Sequence, residues 1–390
     1  MVSGHYGAPT PNLTHGFDRL WGPQYYHFNK GEPGTSMADL RADAAQYADP
    51  EWNADFYDSI AEHIPNYVPS SDRGTFKVRV ALPEGAKRPI AVLSENKQDF
   101  QLNVFDQDSL QYWGNIDPST EVVEIPRVKV GTYRLTVYAD GVFGFFVKDD
   151  VEVTKNIGVV RQFAWEAETA GKEIWRIGTP DLSAGEYKHG YAPDTSKKLQ
   201  PEQYRIFWAK YDFPEEFPDG VTFKVGESDE AEDFNYIHWS VFYRGSKFDQ
   251  PVYENVNNWT VLFDLSGDQL GDASTGTLTV QFAGVKTANG NDKWADLPDE
   301  KYSNLPYTVA LNGQDVETWV IPKIRSGSCG VRSGVICQNF SHKFVFPAAS
   351  LKEGENELVL SLPYNAVNRE TAQLPGTTYL QYDALRLELA

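Results

Sequence analysis

Cysteine, methionine and histidine are scarce in this chain: two, two and seven among 390 residues. Cys329 and Cys337 stand eight positions apart with no matching Cys or His pair, which makes a poor zinc site. Positive charge is short as well. Against 55 Asp and Glu there are 35 Lys and Arg, so the formal net charge is −20 and the pI about 4.8. That sign excludes a generic binder of nucleic acid or of an anionic membrane. No run approaches the roughly 20 apolar residues that a membrane span requires. The opening residues, MVSGHYGAPTPN, lack the basic and apolar segments of a signal peptide. No internal repeat or low-complexity segment is found.

What the chain does have is aromatic surface. Ten Trp, 21 Tyr and 22 Phe within a 41% hydrophobic composition suffice for packed cores and argue against disorder. Such rings can stack on sugars or fill cores, and for any single ring packing is the simpler reading. A surface-loop disulfide between Cys329 and Cys337 suits an oxidising compartment. Sequons at Asn12, Asn258 and Asn339 point the same way.

Three blocks follow one another. Residues 1–70 are rich in Gly and Pro and do not read as a complete domain. Ser36 is placed as the N-cap of a helix whose Met37, Leu40, Ala44 and Tyr47 share one face. A second short helix, from Glu51 to Ala61, would bury Trp52, Phe56 and Ile60. Two such helices cannot cover that many aromatics, so they must pack on something else. Residues 71–156 read as a small β-sandwich, with strict alternation at Phe76, Val78, Val80 and again at Tyr133, Leu135, Val137. Strands are also expected at 90–93, 111–114 and 121–124. Residues 157–390 hold at least eight strand-like runs, at 205–211, 237–243, 259–265, 277–282, 307–311, 343–346, 357–362 and 378–388. Asp-Gly, Asn-Gly and Glu-Gly turns such as Asn312-Gly313 and Glu353-Gly354 punctuate them, which indicates a jelly roll. The fold class is therefore mainly β.

Within the large block, Glu166 and Glu168 stand two apart on an expected opening strand and Asp383 on the closing strand expected beside it. Together they are candidates for a structural calcium site. The alternative is that the glutamates pair with Arg386 or Lys172. The acidic run Glu227–Asp233 reads as a solvated loop. A candidate sugar platform comprises Trp175, Trp208, Trp239 and Trp259, assisted by Arg176 or Lys188.

The run Trp175-Arg176-Ile177-Gly178-Thr179-Pro180-Asp181, the triplet Lys188-His189-Gly190 and the closing Tyr382-Asp383-Ala384-Leu385-Arg386-Leu387-Glu388 together resemble a polysaccharide lyase family 4 rhamnogalacturonan lyase of fungal type. The likeness covers nearly the whole chain. It implies a fibronectin-type-III-like small sandwich, a carbohydrate-binding-like jelly roll, and, in residues 1–70, the C-terminal remnant of a catalytic β-sandwich domain. By the same resemblance Ser3-Gly4-His5 matches a family triplet whose histidine is catalytic, and Gly22-Pro23 with Tyr25 matches a later segment. The family's lysine, arginines and tyrosines would then precede residue 1, leaving this chain inactive alone. His15 and His27 are fallback candidates. The implied reaction is endo-cleavage by β-elimination of rhamnosyl-galacturonate bonds in the rhamnogalacturonan I backbone of pectin. No cofactor is required for that chemistry. The implied protein is a secreted monomer whose partner is pectic polysaccharide, without nucleic acid or membrane. Two other classes stay open: a non-catalytic carbohydrate-binding protein, and a structural or adhesion protein.

Overall fold

The computed structural model describes residue 15 and residues 25–49, 51–64, 67–103, 109–155, 161–190, 213–240, 242–243, 251–252, 257–286, 306–322, 325, 338–362 and 379–390. His5, Asn12, Trp208, both cysteines and the expected strand at 205–211 lie outside them.

The first helix, α1 (Met37–Ala45), starts as expected, with the Ser36 side chain accepting from the Asp39 N–H. The second, α2 (Ala54–Ser59), is shorter than the sequence suggested. Neither buries a residue. Tyr25, Tyr47 and Trp52 cluster with ring centres 5.9–6.1 Å apart, and His27 lies on Tyr47 and bonds Asp43. That gives His27 a structural task. Trp52 and Phe56, expected to be buried, remain nearly half exposed, because the segment has too little surface of its own to cover them. Asp58 ties the segment together by accepting from the Tyr67 hydroxyl and the Ser70 N–H, and Arg127 of the sandwich donates to the Ser70 hydroxyl.

The small sandwich has seven strands: β1 (Arg73–Ala81), β2 (Lys87–Glu95), β3 (Tyr112–Asn115), β4 (Val122–Lys129), β5 (Gly131–Asp140), β6 (Phe146–Val153) and β7 (Arg161–Ala164). Sheet order is β4-β1-β7 facing β3-β2-β5-β6. The alternations read from the sequence are its core: Phe76, Val78 and Val80 meet Leu135, Val137 and Val123. Pro126 is tolerated because β4 is an edge strand. The boundary drawn at residue 156 is too early. Strand β7 pairs in parallel with β1, and Trp165 fills the same core, so this unit runs to Trp165.

The large sandwich comprises β8 (Lys172–Ile177), β9 (Thr222–Lys224), β10 (Ile237–Trp239), a hairpin of β11 (Phe242–Tyr243) and β12 (Pro251–Val252), β13 (Asn258–Leu265), β14 (Thr275–Lys286), β15 (Pro306–Leu311), β16 (Gln314–Val320), β17 (Phe340–Pro347), β18 (Gly354–Ser361) and β19 (Tyr379–Leu389). One sheet runs β10-β19-β14-β17, with β8 also on β19; the other runs β16-β15-β18-β13-β9. Alternation along β13 sends Trp259, Val261, Phe263 and Leu265 inward, where they meet Phe282, Tyr307 and Tyr382 from the other strands. His238 is buried there, stacked on Trp259 at 4.3 Å. Its Nε2 donates to the Asn257 carbonyl, so Nδ1 accepts from the Tyr382 hydroxyl. Burial pushes its pKa down to about 3 and keeps it neutral.

Candidate functional site: the seam between the sandwiches

The residues with chemical potential gather where the two sandwiches meet. Residues Trp165 to Gly171 cross between them without forming a strand, so Glu166 and Glu168 are not on an opening strand. The strand that lies beside the closing strand is β8, with Ile177 opposite Leu385 and Trp175 opposite Leu387. The closing strand reaches the crossing through side chains. Glu388 accepts from the Thr169 hydroxyl and the Ala170 N–H, and Arg386 donates to the Glu168 carbonyl. Arg386 and Glu388 also form a buried ion pair at 3.0 Å. These bonds use one guanidinium nitrogen and one carboxylate oxygen, whereas Arg386 Nε and Glu388 Oε2 have no hydrogen-bond partner among the described residues, so the pair is held by charge as well as by hydrogen bonds.

Immediately after β8 the chain turns through Gly178 to Leu182. Its backbone N–H groups are taken up by three carboxylates. Gly178 donates to Glu230, Thr179 to Glu186, and Asp181 and Leu182 to the two oxygens of Asp383. Gln281 adds a donor to Asp383, and the Tyr187 hydroxyl donates to the Asp383 carbonyl. Gly178 has φ of +77°, and a Cβ there would collide with the Tyr187 hydroxyl, so this position needs glycine. Burial pushes the Asp383 carboxyl up to about 8 against those donors, and the half-buried Glu186 up to about 7.

The turn is also a docking element. The Gly141 N–H, on the hairpin between β5 and β6, donates to the Pro180 carbonyl, and Arg176 donates back to the Gly141 carbonyl. Arg176 is otherwise held by Glu173 and lies over Phe143. Its role is interdomain packing, whereas the sequence had offered it to a sugar.

The other candidates separate likewise. Trp175, Trp239 and Trp259 are core residues on inward-facing strand positions, so these rings are not a sugar platform. Lys188 lies over Phe217 with Glu232 at 3.8 Å. The three expected calcium ligands do not converge: Asp383 is filled by amide donors, Glu168 pairs with Lys343, and Glu166 is exposed. No group of three His, Cys, Asp or Glu side chains able to hold a metal is found among the described residues. Asn258 accepts from the Ser361 hydroxyl. The Asn339 amide nitrogen donates to the Leu182 and Ala283 carbonyls.

Sequence reading missed a cleft of about 340 Å³ in the seam. Arg134, Thr136 and Val147, on the outer face of the four-stranded sheet, form part of its lining, with Asp99, Gln101 and Phe145 from the same sandwich. The crossing contributes Glu168, and the large sandwich Arg325, Asn339, Phe340 and Ser341. Gln101 bridges the halves by pairing with both backbone groups of Asn339, at 3.0 and 2.5 Å, and Arg325 meets Asp99 at 3.3 Å. No local pattern announces a site assembled from segments so far apart in the chain.

Comparison with known proteins agrees with this two-part construction. Residues 83–158 match polysaccharide lyase family 4, domain II, and residues 173–387 match polysaccharide lyase family 4, domain III. A probable rhamnogalacturonate lyase C of Aspergillus oryzae is 63% identical over 98% of this chain, which covers 55% of that protein. A probable rhamnogalacturonate lyase C of Emericella nidulans is 64% identical over 98% of the chain, covering 36% of that protein. Rhamnogalacturonate lyase B of the same organism is 49% identical over the full chain, covering 59% of that protein. The chain thus spans about half, or less, of the relatives it matches.

Proposed function

Because the chain belongs to polysaccharide lyase family 4, we propose that it supplies the two non-catalytic β-domains of a rhamnogalacturonan endolyase, an extracellular enzyme acting on pectic polysaccharide. The observation that carries this reading is the pairing of a domain II match with a domain III match along a chain up to 64% identical to named rhamnogalacturonate lyases. The seam supports it: the buried Arg386, Arg176 over Phe143 and a glycine turn held by carboxylates fix two sandwiches against each other, as a scaffold for a polymer-cutting enzyme requires.

In the reaction, a base removes the C5 proton of a galacturonate, a cation holds the carboxylate as it takes up charge, and an acid protonates the departing rhamnose-linked oxygen. His5 is the candidate for one of the proton-transfer roles, by its Ser3-Gly4-His5 triplet. The test joins the N-terminal part of Emericella nidulans rhamnogalacturonate lyase B to this chain and follows the ultraviolet absorbance of the unsaturated uronate product. The joined protein should cleave rhamnogalacturonan and spare homogalacturonan, and His5→Ala should lower the rate by roughly 10²–10⁴-fold. A folded joined protein that leaves rhamnogalacturonan intact, while the relative itself cleaves it, would overturn the reading.

A further inference from the structure

The cleft in the seam has the makings of a sugar site, and we propose that it binds a neutral sugar residue of a pectic polymer, separately from the bond-cleaving centre. The proposal rests on the family reading for its choice of polymer and on the geometry for everything else. At about 340 Å³ the cleft falls in the range of ligand sites, roughly 300–1,000 Å³.

Its chemistry is mixed in the way a sugar needs. Phe145 is half-buried, and among the described residues its one ring contact is Tyr138, which meets it at a steep angle of 73° and leaves apolar ring surface to the cleft. Phe340, buried and with the Arg325 guanidinium over its ring at 5.3 Å, and Thr136 complete that part of the lining. Hydroxyl partners come from the carboxylates and guanidiniums at the wall.

Charge decides the class of sugar. The charged groups lining the cleft are Asp99 and Glu168 against Arg134 and Arg325, two of each sign. Each already has an opposite partner: Arg134 grips Asp149 at 2.6 and 3.0 Å, Arg325 meets Asp99, and Glu168 pairs with Lys343. Among the described lining residues a uronate would find no unneutralised cation, and its carboxylate would meet the oxygens of Asp99 and Glu168. A neutral ring keeps the pairs intact. It can use the remaining donors of Arg325, whose Nε and second terminal nitrogen have no hydrogen-bond partner among the described residues. Paired ions that keep spare donors and acceptors suit adjacent hydroxyls, which both give and take hydrogen bonds.

The experiment titrates the intact 390-residue chain with galactotriose and methyl rhamnoside, and in parallel with trigalacturonate, by calorimetry. Two variants accompany it: Phe145→Ala, which removes the stacking face, and Ser341→Phe, which fills the mouth from an exposed position and should not disturb folding. At least one neutral probe should bind the parent chain and weaken at least roughly tenfold in each variant, with trigalacturonate failing to compete. Absence of neutral-probe binding, binding unchanged by Ser341→Phe, or displacement by trigalacturonate would each overturn the proposal. Retention of the chain on immobilised rhamnogalacturonan is measured alongside. Loss of that retention with neutral-probe binding preserved would count against the family reading alone.

Discussion

The guanidinium carbon of Arg386 lies 4.3 Å from the centre of the Phe143 ring, a cation–π contact made from one sandwich to the other. Phe143 is buried, and Arg176 lies over the same ring at 5.2 Å. One ring of the small sandwich is therefore shared by two cations of the large one. Such contacts are worth about 0.5–2 kcal/mol each when partly desolvated.

Phe143→Ala should therefore uncouple the sandwiches before it unfolds either. Calorimetric melting of the variant is expected to split into two transitions, with faster proteolysis between Trp165 and Gly171. Phe143→Leu should keep most of the packing and lose only the cation contacts. A single cooperative transition for both variants, unchanged in midpoint, would show that the ring does not couple them.

Stability should fall on both sides of mildly acidic pH. Asp383 and Glu186 have folded pKa values raised to about 8 and about 7, so the stability they contribute is complete below their unfolded values and is lost as pH rises through the folded ones. His238 works in the opposite sense. Depressed to about 3, it contributes stability above its unfolded value that is lost as pH falls. Melting temperature against pH should show both limbs. Glu186→Gln keeps an acceptor for the Thr179 N–H and should flatten the alkaline limb between about pH 5 and pH 8.

Gly178→Ala should be among the most damaging single-methyl changes in the large sandwich. It forces a side chain into a left-handed backbone and into the Tyr187 hydroxyl. A cost of about 2–4 kcal/mol is expected in urea unfolding. Tyr187→Phe in the same background should relieve part of it, because the colliding oxygen is gone. Equal stability of the single and double variants would refute the steric account.

Two tryptophans test the division between core and surface. Trp259→Ala removes a fully buried ring and should cost about 3–5 kcal/mol. Trp52→Ala, at a ring 47% exposed, should change stability by no more than about 0.5 kcal/mol. It should also reduce binding of a hydrophobic dye, since Trp52 lies 5.9 Å from the ring of Tyr25, which is 53% exposed.

Strands with strict alternation were legible in the sequence: Phe76-Val78-Val80, Trp259-Val261-Phe263 and Tyr307-Val309-Leu311 all bury the face they advertise. Strand β8 was not, because Lys172, Glu173 and Arg176 are exposed and only Trp175 and Ile177 are buried. Strand β16 hides in the same way, with none of its residues buried. The opening strand expected at Glu166 and Glu168 does not form: that crossing meets the closing strand through the Arg386 and Glu388 side chains while β8 takes the ladder. Asp383 shows why sites are harder to read than folds. Its partners Asp181, Leu182 and Gln281 come from distant stretches, and a carboxylate that serves amide donors looks, in sequence, the same as one that would serve a metal. Of the candidate platform rings, Trp259 carried its answer in the alternation of β13, which assigns it inward.

Strand β19 lies inside its sheet, bonded along one edge to β14 and along the other to β10 at Tyr379–Gln381 and to β8 at Leu385–Leu389. During synthesis the chain is delivered from its amino end, so the small sandwich can close once Trp165 has left the ribosome. The large one cannot: β8 and β10 emerge early and must wait, unpaired, until the eleven residues of β19 arrive to join them to β14. Nascent chains of this protein therefore carry the aromatic inner faces of β8, β10 and β14 without their central partner until β19 emerges, and that interval is when they depend most on chaperones.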